Sequence, residues 1–205
     1  MRMKQNGFTL VELAIVLVII GLILGMAFKG KDLIDGAKVK NLAAQHNKIV
    51  AGINIFYEKY GSYPGDGCGA GQPTAGTAVC TGTKNGLIES GNEAVAFWVA
   101  LIDRSNILTN AERRSVFGQD WEVWNSTGAG NPSFAGTRAV AGSWLDLPGS
   151  AQADPRFVCA LDRQIDDGES GSGIVRDADS TTSYTATSDC WALSGQVNVV
   201  MRLLP

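Results

Sequence analysis

Residues 8–28 carry a single charge, Glu12, and no proline. As a helix, a run of about 21 residues rises roughly 31 Å, close to the roughly 30 Å of hydrocarbon in a bilayer. The helical signal does not stop there. No proline occurs between Met1 and Tyr63, so nothing forces a break. Beyond Phe28, Leu33, Ala37, Leu42, Ile49, Ile53, Phe56 and Tyr60 recur mostly at three- and four-residue steps. Lys31, Asp35, Lys38, Asn41, Lys48 and Lys59 fill the positions between them. One rod over residues 8–60 would be about 80 Å long, more than a globular core of this size covers. Its front half is therefore expected to lie in lipid or against other chains.

Four segments follow from this reading. Residues 1–7 form a short polar leader with Arg2 and Lys4, and residues 8–28 a transmembrane or filament-core helix. Residues 29–60 continue that helix in amphipathic form. Residues 61–205 hold all four Cys, all six Pro and all five Trp, the composition of a loop-rich globular head. Helical spacing of Phe97, Trp98, Leu101, Ile102 and Leu108 predicts a second helix over 93–107. A third is expected over 155–166, with Asp154 as N-cap, Pro155 at the first helical position and Gly168 past the end. Strands are expected over 138–147, 173–176 and 197–203. The fold class is thus α+β: a small antiparallel sheet packed on the rear half of a long helix. The five Trp are read as core filling in preference to sugar binding.

Leader and helix meet in an informative way. A secretory signal places its cleavage site after the apolar stretch, whereas here the small residue Gly7 precedes it. The segment G-F-T-L-V-E at residues 7–12, followed by the apolar run, resembles the N-terminus of type IV pilins and type II secretion pseudopilins. The F-W-V-A-L stretch from Phe97 and the Y-P-G-D stretch from Tyr63 are also similar to segments in prepilin-like heads. The resemblance implies cleavage after Gly7 and N-methylation of Phe8 by a prepilin peptidase and methyltransferase. It further implies residence in the bacterial inner membrane with a periplasmic head. Assembly with other copies or related pilin subunits into a pilus or pseudopilus would follow. An inner-membrane platform with a separate ATPase would drive that step, since the chain lacks G-x-x-x-x-G-K-[ST]. A low-copy tip subunit, its head serving ligand binding, adhesion or DNA uptake, is the alternative.

Glu12 stands out on physical grounds alone. A carboxylate within an apolar membrane helix costs about 2.5–3.5 kcal/mol and so calls for a partner or a function. A place in the first turn, where the helix N-terminus favours an anion, offers one explanation. The resemblance implies another: a pair with the amine created at Phe8 of a neighbouring subunit, fixing register. Gly21 and Gly25 form G-x-x-x-G, a spacing that lets helices approach closely. Arg2 and Lys4 favour a cytoplasmic leader, yet Lys29, Lys31, Lys38 and Lys40 follow the span, so positive charge alone does not orient the chain.

Cys68 and Cys80, and Cys159 and Cys190, have no C-x-x-C spacing, and the lone His46 lies on the long helix. An even number of Cys in a chain delivered across a membrane favours two disulfides. Three connectivities are open, the sequential pairs being preferred, with buried free thiols as the alternative in a reducing compartment. The loop 165–179 offers Asp166, Asp167, Glu169, Asp177 and Asp179, hard oxygen ligands of the kind calcium takes. Some pseudopilin heads bind calcium in a C-terminal loop, although EF-hand spacing is absent here and acidic loops are commonly just solvated. No other cofactor is expected. A single His supports neither a Ser-His-Asp nor a Cys-His constellation in the head, so no enzyme is expected. The balance of 17 basic against 20 acidic residues, net −3, gives no strong attraction to nucleic acid. His46 is expected on a helix face or a subunit interface.

Overall fold

The computed structural model describes residues 9–126, 140–147, 153–178 and 183–204. The leader, Gly7 and Phe8 lie outside them, as do Asp179 and the start of the strand expected from residue 138. Two compact units divide at Lys38. The first, Met1–Lys38, contributes the front of helix α1 (Leu10–Tyr60). The second, Val39–Pro205, holds the rest of α1 and the head.

Within the second unit α1 buries Val39, Leu42, His46, Ile49, Ile53 and Phe56, in steps of three and four residues, which keeps them on one helix face. This face begins later than the sequence suggests: Leu33 is exposed, and the head's buried residues start at Val39. Gln45 also lies on the buried side, in a position that polarity alone assigns to solvent. Its Nε2 donates to the Glu112 and Arg114 carbonyls at 2.8 and 2.6 Å, and its Oε1 accepts from Trp121 Nε1 at 3.0 Å. Fully satisfied in this way, the amide is tolerated in the core and ties α1 to the segment around α3 (Asn110–Arg113). α3 itself opens with a capping box between Thr109 and Glu112.

α2 (Asn92–Trp98) runs into a π-helical turn, Val99–Arg104. The helix expected over 93–107 is therefore real at its start but changes pitch after Trp98, and Ile107 lies beyond it. Four antiparallel strands make the sheet: β1 (Glu122–Ser126), β2 (Gly142–Asp146), β3 (Val175–Asp177) and β4 (Val199–Arg202), in the order β1-β2-β4-β3. Register explains how the two faces divide. Val123, Leu145, Met201 and Val175 form one cross-strand row, and all four belong to the main core with Ile49, Ile53 and Phe56. Trp124, Trp144 and Arg202 form the next row, where Trp144 is buried with Val200 and Ala178 in a separate cluster. The guanidiniums of Arg176 and Arg202 lie 5.2 and 6.0 Å from the Trp144 ring centre.

α4 (Pro155–Ile165) has Asp154 as its N-cap, accepting from Arg156 N–H at 3.0 Å. Disulfides join Cys68 to Cys80 and Cys159 to Cys190, with Cα separations of 5.0 and 5.5 Å. In the chain-entropy model these loops contribute about 3 and about 4 kcal/mol. The first pins a loop that also relies on side-chain acceptors. Asp66 takes the N–H groups of Asn85 and Gly86, while Glu93 takes those of Gly67 and Glu89. Gly65, at φ 86°, passes so close to α2 that a Cβ would stand 2.5 Å from the Glu93 carbonyl oxygen. Only glycine fits there.

His46 lies on the helix face that packs into the head: it is 6% exposed, with Nε2 3.0 Å from the Arg202 carbonyl. Among the described residues Nδ1 has no hydrogen-bond partner of good geometry, so a second proton on the buried ring is poorly compensated. Burial holds its pKa below the usual histidine value, with the Arg202 carbonyl and the Asn47 side chain opposing that shift. The unfolded chain then binds a proton more readily than the folded one. Stability contributed by this ring is present above the unfolded pKa of about 6.5 and is lost as pH falls through the folded value. A His46→Gln variant should show a shallower fall in melting temperature on acidification below pH ~6.5. The difference in slope amounts to at most about 1.4 kcal/mol per pH unit, and equal slopes in paired thermal melts would remove the assignment.

Candidate functional site

The front of α1 opens with a local device that its sequence spells out but composition hides. Thr9 N–H and Thr9 Oγ1 both donate to Glu12 Oε2 at 2.8 Å, and Glu12 N–H donates back to Thr9 Oγ1 at 3.3 Å. This reciprocal pair is a capping box, T-x-x-E, which satisfies helix N–H groups that have no intrahelical acceptor. It gives the carboxylate a partner within its own chain. Beyond it, every large apolar side chain from Leu10 to Phe28 is exposed, with Leu10 at 87% and Phe28 at 70%. The helix is long and apolar enough to cross a membrane. Gly21 and Gly25 lie on this surface, and a Cβ built at either would meet nothing within 4 Å. The single chain leaves both positions open to a close-packing helix.

In the head, Asp166 and Asp167 come together with Asp162, a residue sequence reasoning passed over. One ligand-capable atom from each lies within 4.8 Å of the others. Glu169 and Asp177 are not part of that group, and Asp179 lies outside the described residues. The carboxylates organise their own loop. Asp166 Oδ2 accepts from Val175 N–H at 2.9 Å and from Ile174 N–H, and a Cβ at Gly173 would collide with its carboxyl group. Asp167 accepts from Glu169 N–H at 2.9 Å and Ser172 Oγ at 2.6 Å, and Glu169 Oε1 accepts from Ala186 N–H at 3.0 Å. Asp162 is fully buried, taking Gly168 N–H at 3.0 Å and Tyr184 OH at 2.9 Å. Burial pushes its pKa up to about 7, with Asp166 and Asp167 adding to the shift against the two hydrogen bonds. These hydrogen bonds account for where the oxygens point without invoking a cation.

The family model described as the prokaryotic N-terminal methylation motif matches residues 2–28. That motif is the signature of type IV pilins and pseudopilins. This is a prepilin-like N-terminus. No curated protein and no solved structure matches the chain significantly.

For a prepilin-like chain the motif implies pilin subunits and a prepilin peptidase as partners. It points to a structural subunit rather than an enzyme. The exposed apolar helix suits membrane anchoring before assembly, because oily side chains on all sides of a helix need a non-aqueous surround. Sequence reasoning missed Thr9, although S/T-x-x-E was there to mark it. Gln45 and Asp162 carried no such signal, since burial of a polar side chain becomes evident only once its partners from distant segments are in place.

Proposed function

We propose that this prepilin-like chain is cleaved after Gly7, methylated at Phe8 and polymerised into a type IV pilus or type II secretion pseudopilus. Before assembly the apolar front of α1 sits in the inner membrane with the head in the periplasm. During assembly the same front exchanges lipid for the helices of neighbouring subunits, and a separate ATPase and platform supply the work. One observation carries this reading: the segment bearing the methylation motif exposes apolar side chains all round, from Leu10 to Phe28. A helix of that kind is stable only in lipid or among similar helices. Glu12 and Gly21/Gly25 serve register and close approach in that packing.

Shearing cells and analysing the released filaments by mass spectrometry tests the proposal. The expected result is this chain as an abundant filament component whose first residue is a methylated Phe8. Trace abundance with the same N-terminus would assign a low-copy subunit instead. A filament fraction lacking the chain altogether would overturn the assembly reading.

A further inference from the structure

The sequence of the head contains one Asn-Gly pair, Asn85–Gly86. Such a pair is chemically labile, because a glycine nitrogen has no neighbouring side chain to shield it from the asparagine amide carbon. The backbone nitrogen of Gly86 gives its proton to hydroxide and attacks Asn85 Cγ. As that N–C bond forms, the Cγ–Nδ2 bond breaks, and Nδ2 takes a proton from water and leaves as ammonia. Water then opens the resulting succinimide at either carbonyl, leaving aspartate or isoaspartate at position 85. Water is the only co-reactant.

The electrophile of this reaction is set up and its nucleophile is tied down. Asn85 is exposed; its Oδ1 accepts from Leu87 N–H at 2.9 Å and its Nδ2 donates to Glu89 Oε1 at 3.0 Å. An N–H aimed at Oδ1 stabilises the negative charge that develops there as the ring closes. At Gly86, where φ is 80°, a Cβ would meet nothing within 4 Å, so packing does not cover the pair on that side. The restraint comes from Asp66, which is 3% exposed. Its Oδ1 accepts from Asn85 N–H at 3.1 Å and its Oδ2 from Gly86 N–H at 3.0 Å. These charge-assisted hydrogen bonds hold in place the proton whose loss starts the reaction, and fix the backbone around it. We propose that Asn85 is a deamidation site that Asp66 holds shut. Conversion puts a carboxylate where the Asn85 amide now donates to Glu89, so the two repel and the loop loses a tie. The modification is one-way, and it does not depend on filament assembly.

Full-length protein in detergent, kept at mildly alkaline pH well below its melting temperature, provides the test. Peptide mass spectrometry follows aspartate and isoaspartate at position 85 with time. Asp66→Asn keeps the shape of the side chain but leaves one of the two N–H groups facing an amide NH₂. It should convert at least about tenfold faster than the wild type, the factor in rate that one charge-assisted hydrogen bond represents. Val175→Ala, on β3, which β4 separates from β2, weakens the core away from Asp66 and controls for lost stability. At the same distance below its own melting temperature it should convert at the wild-type rate. Wild-type chain that has been reduced and denatured should convert at least about tenfold faster than the folded chain. A third measurement needs no variant: Gly86 N–H should exchange with deuterium at least about tenfold more slowly in the folded chain than in the denatured one. This last comparison decides the matter if Asp66→Asn does not fold. The proposal is overturned if folded Asp66→Asn converts as slowly as the wild type, or if Val175→Ala matches its acceleration. It is equally overturned if unfolding leaves the conversion rate unchanged or if Gly86 N–H exchanges freely in the folded chain.

Discussion

Cells carrying Gly7→Val accumulate a precursor that begins at Met1, and the mature chain beginning at Phe8 falls below about a tenth of its normal amount. The reason lies in where the scissile bond sits. On the proposed cleavage, leader and apolar helix abut directly at Gly7 and Phe8, so the peptidase would take the backbone of residue 7 at the membrane surface. Glycine lets the backbone approach closely, whereas valine adds a β-branched side chain that crowds it and restricts its dihedral choices. Nothing in the head changes, so the precursor should still insert and fold. Mass spectrometry of the membrane fraction, with filaments sheared from the same cells, reads the outcome. Normal amounts of mature chain in the variant would refute cleavage at this junction.

How much of this was legible beforehand depends on the element. The front of α1 was, because a long apolar run constrains structure before any tertiary contact forms. Its rear was legible as helix but not in its buried face. Leu33 and Leu42 look alike in sequence, yet Leu33 is exposed and Leu42 is buried within the second unit, and that difference belongs to the fold. The strands expected over 173–176 and 197–203 proved shorter or shifted, at Val175–Asp177 and Val199–Arg202. β1 was missed. Its Val123 and Trp124 are adjacent apolar residues serving opposite sheet faces, so no simple alternation marks the strand. The π-turn after Trp98 was hidden for a related reason: a change of pitch leaves three- and four-residue spacing nearly intact over so short a stretch.

The candidate site divides similarly. The N-terminal methylation motif was readable because it is contiguous, and the family model matches it over residues 2–28. The carboxylate group of the head was half readable: Asp166 and Asp167 are neighbours in sequence, but Asp162 joins them by winding back along α4. Glu169 looked equivalent to them and instead serves Ala186 N–H. The sequence shows which groups could bind; the loop's hydrogen bonds determine where each is aimed.

Glu12→Ala should be inserted and processed normally, yet yield at least about a hundredfold fewer filaments. Two contributions of unequal size are involved. Within its own chain the carboxylate completes a capping box with Thr9, whose loss weakens a helix start by about 0.5–2 kcal/mol. A lipid-supported helix of 51 residues survives that. Between chains the consequence is larger. On the proposed pairing, alanine leaves the methylated amine of the neighbouring Phe8 unpaired in a dry filament core, a penalty of about 3–5 kcal/mol per contact. Two further variants separate the contributions. Thr9→Val removes the hydroxyl of the box but keeps the charge, and it should assemble to within about threefold of normal. Glu12→Gln keeps hydrogen-bonding capacity but removes the charge, and it should fail nearly as badly as alanine. Normal assembly of Glu12→Gln would show that charge pairing does not set register. Failure of Thr9→Val alongside it would return the role of Glu12 to the helix cap.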